Sequence, residues 1–381
     1  MAGSIAGQEF PSAPATTGAE GGQFERRSVL RALGIGGGAA LAASALAACS
    51  SSRGSSSTGS IGDFPKTSAW KFAFINHVTT NSFFAPTQSG MKDAASLLGL
   101  PAPTWTGSEN GVVSEMVSAM ETAISANAAG IAIPLTDANA FVAPTKAALA
   151  AGIPVIAYNA NASGNYGLCY VGQDLYQSGY QMGLRIATNV TSGDILVGIS
   201  QPGSLNVQPR LDGIKAALAA KAPGVTVHTV DTGAAQADEL SAMESAYQGL
   251  KGAKGIYAVD AGSTASIAQM ITKYGIKGQV HAGGYDLVAD TITGVSSGAL
   301  DFTIDQSAYL QGFLPVLYLF MYRMTGSLVF PPATDTGLTF VTSDNVAPYA
   351  SSKSWIEGGA NRAVIPMPSS IGLPAPSTVQ S

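Results

Sequence analysis

The sequence predicts an α/β protein of two similar halves, each a doubly wound, Rossmann-like parallel sheet with helices on its faces. The chain has 381 residues, which is enough for two domains of ordinary size. From Lys71 onward, short apolar runs alternate with amphipathic stretches, the pattern of repeated β-α-β units. The segment that begins at Gly255 repeats the order of elements of the segment that begins at Gly130, a similarity that we call the internal echo. These observations favour two lobes of one design.

The individual elements follow from the spacing of apolar residues. In the first half we predict strands at 71–75, 130–134 and 155–158 and helices at 85–98, 112–126 and 140–150. In the second half we predict strands at 194–199, 226–229, 255–259 and 280–283 and helices at 211–220, 237–250 and 264–274. The last of these strands runs out to Asp286, and a helix, a strand ending at Gln306 and an apolar helix at 309–324 follow.

Polar side chains stand where several of these strands end. Asp286 and Gln306 close two strands of the second half, and Asn159 closes the strand that the echo pairs with the one before Asp286. Ligands of open parallel sheets bind at the carboxyl ends of the strands. If each half forms its own lobe, Asn159 and Asp286 occupy equivalent strand ends and face one cleft. The echo alone leaves open that β-α-β units simply resemble one another.

The composition excludes several classes of function. Only 11% of the residues are charged and the net charge is −5, so we expect no binding to nucleic acid. The chain has 2 cysteines, which excludes a disulfide scaffold and a multi-thiolate metal site, and Cys169 is expected to be a buried free thiol. The 3 histidines lie far apart without metal-ligand spacing. His77 follows the first strand and could border a cleft, but we expect it to be a solvated loop residue. No metal and no cofactor are therefore expected.

The N-terminal region has the pattern of an export signal. Arg26 and Arg27 precede an apolar run that ends in Leu-Ala-Ala-Cys at Cys49, and a tract rich in Ser and Gly follows. The Leu-Ala-Ala-Cys sequence resembles the lipobox of bacterial lipoproteins, which implies cleavage before Cys49, lipid on its sulfur and anchoring at the outer face of the cell membrane. The alternative is a buried Ala-rich helix with a chance cysteine.

The sequence contains only part of the motif set of the serine β-lactamases and penicillin-binding proteins. Ser89 and Lys92 fit S-x-x-K and residues 343–345 form S-D-N, but the third motif of that enzyme class, K-T-G, is missing. Ser89 and Lys92 are explained more simply as the solvated face of a helix. No catalytic residue is therefore predicted.

The loop after the first strand carries two adjacent aromatic residues, Phe83 and Phe84, behind Asn81. Either one ring anchors the following helix in the core, or a ring presents its face to a ligand. A sugar ring suits the second arrangement, because aromatic faces cover its C–H groups and planar polar side chains bond its hydroxyls.

This loop resembles the Asn-Pro-Phe-Phe opening of the ribose-type periplasmic sugar-binding proteins. Further segments follow in that family's order and spacing: Thr136-Asp137, 151–156, 170–174, 283–286 and Asp305-Gln306. The resemblance covers residues 70–345 and implies the type 1 periplasmic binding protein fold, two lobes joined by a three-stranded hinge. The implied crossings lie near Asp174, near Asp305-Gln306 and at 335–338.

Taken together, these patterns divide the chain into five parts. They are a signal peptide at 1–48, a tether at 49–69, a first lobe at 70–174 plus 306–335, a second lobe at 175–305 plus 336–350, and a tail at 351–381.

The resemblance also implies a set of ligand-binding residues: Asn81, Phe83, Phe84, Asn159, Arg210, Asp260, Asp286 and Gln306. For Arg210 the alternative is a surface residue near a helix N-terminus. Two positions depart from the family pattern, since Asn159-Ala160 replaces an Asp-Arg pair and Asp260-Ala261 replaces the usual Asn-Asp. We therefore expect a polyol, a deoxy-sugar or a small furanosyl signalling compound rather than ribose, since each unmatched buried polar group costs about 1–3 kcal/mol.

The function implied is that of a monomeric, lipid-anchored binding protein without enzymatic activity. It would capture a small sugar or polyol between its lobes and deliver it to the permease of an ABC transporter. The alternative is a sensor or docking protein of the same fold. A transcription regulator with this core would need an N-terminal helix-turn-helix, where this chain carries an export signal instead.

Overall fold

The computed structural model describes residues 67–327 and 330–351, which hold two six-stranded sheets flanked by helices. The signal peptide predicted at 1–48, the tether up to residue 66, and the tail from residue 352 lie outside the described residues. No helix in the described ranges is long and apolar enough to span a membrane.

The strands, in chain order, are β1 Phe72–Asn76, β2 Thr104–Gly107, β3 Gly130–Ile133, β4 Val155–Tyr158, β5 Tyr170–Gly172, β6 Ser192–Ile199, β7 Gly224–Asp231, β8 Gly255–Ala258, β9 His281–Tyr285, β10 Phe302–Asp305, β11 Ala333–Asp335 and β12 Thr339–Val341. The helices are α1 Ala85–Leu97, α2 Val113–Ser125, α3 Val142–Ala150, α4 Leu175–Asn189, α5 Gln208–Lys221, α6 Gln236–Gly249, α7 Ala261–Tyr274, α8 Ala289–Ser297, α9 Ala308–Thr325 and α10 Ala347–Ser351. A 3₁₀ turn at Ser82–Phe84 precedes α1.

The two sheets share one strand order. The first runs β11-β5-β4-β3-β1-β2 and the second β12-β10-β9-β8-β6-β7. All pairs are parallel except β10 with β12, which is antiparallel. We call each sheet with its helices a lobe. The predicted α/β class with two doubly wound lobes is confirmed.

Each sheet has a hydrophobic core on both faces. In β1, Phe72 and Phe74 enter one cluster, whereas Ala73 and Ile75 enter another. The alternation of β8 is similar, with Ile256 in one cluster and Tyr257 in the other. Because both faces of each sheet are buried, the strand sequences are short continuous apolar runs rather than alternations of apolar and polar residues.

The chain passes between the lobes three times. It crosses between β5 and α4, between β10 and α9, and between β11 and β12, as the sheet assignments of these strands show. Helix α9 returns to the first lobe, where it packs against α1. A Cβ at Gly312 would lie 1.9 Å from the carbonyl oxygen of Thr87, so the two helix backbones touch only because this residue is glycine.

Candidate functional site

All eight residues that were predicted to bind a ligand line one cavity between the lobes. The cavity has a volume of about 510 Å³, including the part that opens to solvent. Asn159, Asp286 and Gln306 reach it from the carboxyl ends of β4, β9 and β10. The remaining predicted residues approach from the loop after β1, from α5 and from the start of α7: Asn81, Phe83, Phe84, Arg210 and Asp260.

Asn159 and Asp286 occupy equivalent positions, as the internal echo predicted. Strand β4 lies between β5 and β3, and β9 lies between β10 and β8. Both residues have a left-handed backbone, with φ of 61° at Asn159 and 75° at Asp286. Asn and Asp tolerate this conformation better than other non-glycine residues. The left-handed turn ends each strand and lets the polar side chain face the cavity.

A chain of buried amides connects the two strand ends across the hinge. Asn159 Nδ2 donates to Gln311 Oε1 at 3.0 Å, and Gln311 Nε2 donates to Gln306 Oε1 at 3.1 Å. Gln306 Nε2 then donates to Asp286 Oδ1 at 2.7 Å. Thr336, just after β11, donates its hydroxyl to the Gln306 carbonyl at 2.7 Å. The network therefore fixes both strand ends against the second and third crossings.

Gln311 was not predicted as part of the site. It is fully buried on α9 among apolar residues. A lone polar side chain on the buried face of an apolar helix was the signal that could have identified it.

Arg210 is buried, with 3% of its surface exposed, so the alternative of a surface arginine is wrong. Its guanidinium lies 4.1 Å from the ring centre of Tyr285 and donates to the Val259 carbonyl at 3.0 Å and to Gln173 Oε1 at 3.3 Å. Its Nε is buried and has no hydrogen-bond partner among the described residues. Gly179 on α4 allows this placement, because a Cβ there would lie 2.0 Å from the Arg210 carbonyl oxygen.

Asp286 is buried and shares the cavity with Arg210 without a direct ion pair among the described residues. Burial raises the pKa of Asp286 to about 7, against the lowering effects of the Arg210 charge and the Gln306 hydrogen bond. Both groups line the cavity, where a polar ligand could contact them.

The aromatic wall consists of Phe83 and Phe84, whose rings meet edge to face at 4.7 Å. Phe84 is 2% exposed and belongs to the first-lobe core, whereas Phe83 is half-buried. Asn81 accepts a hydrogen bond from Phe83 N at 2.9 Å and so caps the turn that presents both rings. One ring thus anchors the helix while both border the cavity.

His77 is a correction, because it is buried in the cavity wall rather than solvated. Asn206 Oδ1 accepts from the Ser204 hydroxyl, so its amide nitrogen is the group that faces His77 Nε2 at 3.1 Å. The imidazole therefore accepts through Nε2 and is neutral, and burial lowers the pKa of His77 to about 4. Its Nδ1 is buried, and no group in the described part of the chain forms a hydrogen bond with it. The position of His77 in a loop gave no indication in the sequence that its side chain is buried.

The lobes touch beside this histidine. Leu205 N donates to the Thr136 carbonyl at 2.9 Å, and Leu205 packs against the first-lobe core. Asn206 and His77 form a second contact between the lobes. The cavity is therefore closed on the side of 204–206.

Glu239 is another residue of the site that the sequence did not reveal. It is buried at the start of α6, lines the cavity and faces Asp260. An acidic residue in the first turn of a helix ordinarily faces solvent, so its position alone carried no signal.

Chemically, the cleft combines an aromatic wall, amide groups, one guanidinium and carboxyl groups in a buried space. The described residues contain no group of His, Cys, Asp and Glu that could hold a metal ion. Such a site suits an uncharged ring that carries both hydrogen-bond donors and acceptors.

Comparison with known proteins identifies the family. A periplasmic binding protein domain model matches residues 72–323. The xylose/arabinose-binding protein XylF of Sulfolobus acidocaldarius is 46% identical over 304 residues, which cover 76% of this chain and 75% of the relative.

Solved structures agree with this match. A solute-binding protein of an ABC transporter from Burkholderia graminis, in complex with D-arabinose, is 26% identical, covers 74% of this chain and 99% of its own, and has a TM-score of 0.69. The arabinose-binding protein AraP from Geobacillus stearothermophilus is also 26% identical, covers 73% of this chain and 98% of its own, and has a TM-score of 0.60. The chain therefore belongs to the periplasmic binding protein domain family, whose members are exported, substrate-binding and non-catalytic proteins.

Proposed function

We propose that this protein is the substrate-binding component of an ABC importer and that it captures a pentose or a related small polyol between its lobes. The observation that carries the proposal is that two polar atoms of residues lining the cavity have no hydrogen-bond partner among the described residues. Among the described residues, His77 Nδ1 and Arg210 Nε are buried donors without a protein partner, and both residues line the cavity. Leaving such a group unpaired costs about 1–3 kcal/mol, which a ligand oxygen would recover.

The similar proteins support the proposal that the ligand is a sugar. One relative at 46% identity is named a xylose/arabinose-binding protein, and a structure at 26% identity holds D-arabinose. In our proposal, Phe83 and Phe84 cover a sugar face, and Asn81 and Asn159 bond hydroxyls from the first lobe. From the second lobe and the hinge, Arg210, Asp260, Asp286 and Gln306 bond the remaining polar atoms.

We also propose the residue boundaries of the two lobes. The first lobe would comprise 70–174 and 306–335, and the second 175–305 and 336–350. The membership of β11 in the first sheet and of β12 in the second supports these limits. The protein would act as a monomer, without enzymatic activity, and would close around its ligand by bending at the three crossings.

We further propose that lipid on Cys49 anchors the protein at the outer face of the cell membrane after twin-arginine export. The support is the order of Arg26, Arg27, the apolar run and Cys49 in the sequence. In a membrane fractionation, the Cys49→Ser protein should leave the membrane pellet. Retention of this variant in the pellet would contradict the anchor.

The binding proposal is tested by thermal denaturation of the protein with D-xylose, D-arabinose, L-arabinose, D-ribose and simple polyols. A true ligand at 100 times its dissociation constant adds about 2.7 kcal/mol of stability, which raises the midpoint by several degrees. We expect at least one pentose to do so. An unchanged midpoint with every compound would refute the proposal.

A further inference from the structure

A buried pair of carboxyl groups forms part of the second-lobe wall of the cleft. Glu239 lies in the first turn of α6 and is 3% exposed, and Asp260 is the residue before α7. A Cβ at position 262 would lie 1.8 Å from Glu239 Oε2. The Glu239 carboxyl group can therefore pack against α7 only because residue 262 is glycine. Both residues line the proposed sugar cavity.

The hydrogen bonds of Asp260 indicate which of the two carboxyl groups would hold a shared proton. Asp260 Oδ1 accepts from Ser263 N at 2.9 Å, and Asp260 Oδ2 accepts from Ser263 Oγ and Ser200 N, each at 3.0 Å. Asp260 therefore uses both oxygens as acceptors, as an ionised carboxylate does. A hydrogen bond between two carboxyl groups needs one proton, and the acceptor role of Asp260 assigns that proton to Glu239.

The electrostatic surroundings agree with this assignment. Burial first, and then the Asp260 carboxylate beside it, raise the pKa of Glu239 to about 9. Burial also raises the pKa of Asp260, while its hydrogen-bond donors lower it. The other titratable or charged groups around the pair are Asp238 on α6, Arg210 on α5, Asp286 after β9 and His77 after β1. Arg210 is engaged with Val259, Gln173 and Tyr285, and His77 is neutral.

We propose that Glu239 is a further ligand-binding residue, held to Asp260 by one shared proton so that its other oxygen accepts a hydrogen bond from a sugar hydroxyl. The pair then selects ligands that carry a hydroxyl at this position over deoxy analogues. Loss of the proton would leave two facing carboxylates, whose repulsion would withdraw Glu239 from the ligand. This inference rests on the proposed function and adds a pH limit to it.

Glutamine reproduces the protonated form of Glu239, because its amide donates where the acid proton does and its carbonyl accepts where the second oxygen does. The test measures D-xylose and D-arabinose affinity by calorimetry from pH 8 to pH 10, above the range in which Asp286 titrates. For the wild-type protein we expect affinity to fall above pH 9 with a slope approaching tenfold per pH unit. Glu239→Gln should bind within about fivefold of wild type at pH 8 and show no alkaline loss.

Two further variants make the result specific. Glu239→Ala should lose at least tenfold in affinity at pH 8, since the hydroxyl of the ligand then lacks its acceptor. Asp212→Asn removes an exposed carboxyl group on α5, which is not among the charged groups around the pair, and should leave the pH profile unchanged. A wild-type affinity that stays flat to pH 10, or a Glu239→Gln loss as large as that of Glu239→Ala, would overturn the proposal.

A ligand-free measurement separates this inference from the proposed function. Because the pKa of Glu239 is raised from 4.5 to about 9 in the folded state, its contribution to stability is fully present below about pH 4.5 and is lost progressively as pH rises to about 9. The wild-type melting temperature should therefore fall between pH 5 and pH 9 more than that of Glu239→Gln. Equal falls would refute the shared proton, whatever sugar binds. If this difference is seen but no pentose binds, the proposed function and the ligand role of Glu239 both fail.

Discussion

At the scale of single residues, the site is organised by polar groups that sit where strands end. Asn159 and Asp286 were predictable because a polar residue after an apolar run marks a strand end in an α/β sheet. Gln311 and Glu239 were not predicted, since a polar residue on a helix faces solvent more often than a cavity. Their burial depends on packing between distant segments, which the local pattern does not contain.

Asp286 makes a prediction about pH. Burial raises the pKa of Asp286 from its ordinary value of 3.8 to about 7, so the stability it contributes is present at acid pH and is lost as pH rises through about 7. Asp286→Asn stays neutral, keeps an acceptor for Gln306 and suits the left-handed backbone. We expect the ligand-free variant to melt at a higher temperature than wild type at pH 8 and near it at pH 4.

Melting curves at both pH values check this expectation. Asp212→Asn, at an exposed carboxyl group on α5, is the matched control and should follow the wild type. If Asp286→Asn follows it as well, the buried carboxylate is not a source of strain in the empty cleft.

At the scale of elements, the sequence identified most of the strands that are covered on both faces, although it missed β5. The prediction of 155–158 coincides with β4, and most other predicted elements agree within a few residues. Strand β2 was missed because it is a half-buried edge strand without an apolar run. Helix α4 was missed because its buried face includes Ser178, Gly179 and Gly183, which do not register as apolar. Small residues there serve close helix packing instead.

The glycine contacts give a prediction about helix packing. Gly312→Ala would place a methyl group 1.9 Å from the backbone oxygen of Thr87, so α1 and α9 must separate. We expect a loss of about 1–3 kcal/mol in the free energy of unfolding. Gly249→Ala, at the end of α6 where a Cβ meets nothing within 4 Å, is the control and should change stability by less than about 1 kcal/mol. Denaturant unfolding measures the free energy of unfolding of both variants. Equal losses in the two variants would show that α1 and α9 are not in tight contact at Gly312.

At the scale of the whole molecule, two lobes of one strand order place their strand ends against each other. The periodicity predicted the two lobes, and the family resemblance supplied the hinge and the eight site residues. The contact between Leu205 and Thr136 and the buried state of His77 could not be predicted, because they depend on how the lobes meet. Ligand binding, as we propose it, therefore depends on a cleft in which groups from both lobes contact one ligand.

Calorimetric titration of the protein with D-xylose and D-arabinose tests this claim most directly, with Arg210→Ala and Arg185→Ala measured in parallel. Arg210 lines the cavity, whereas Arg185 contacts the rings of Phe302 and Phe340 in the second-lobe core. We expect one saturable site in the wild type and in Arg185→Ala. Arg210→Ala should bind about 100-fold more weakly, since two charged hydrogen bonds contribute about 3 kcal/mol or more. Full-affinity binding by Arg210→Ala, or no binding by the wild type, would contradict the account.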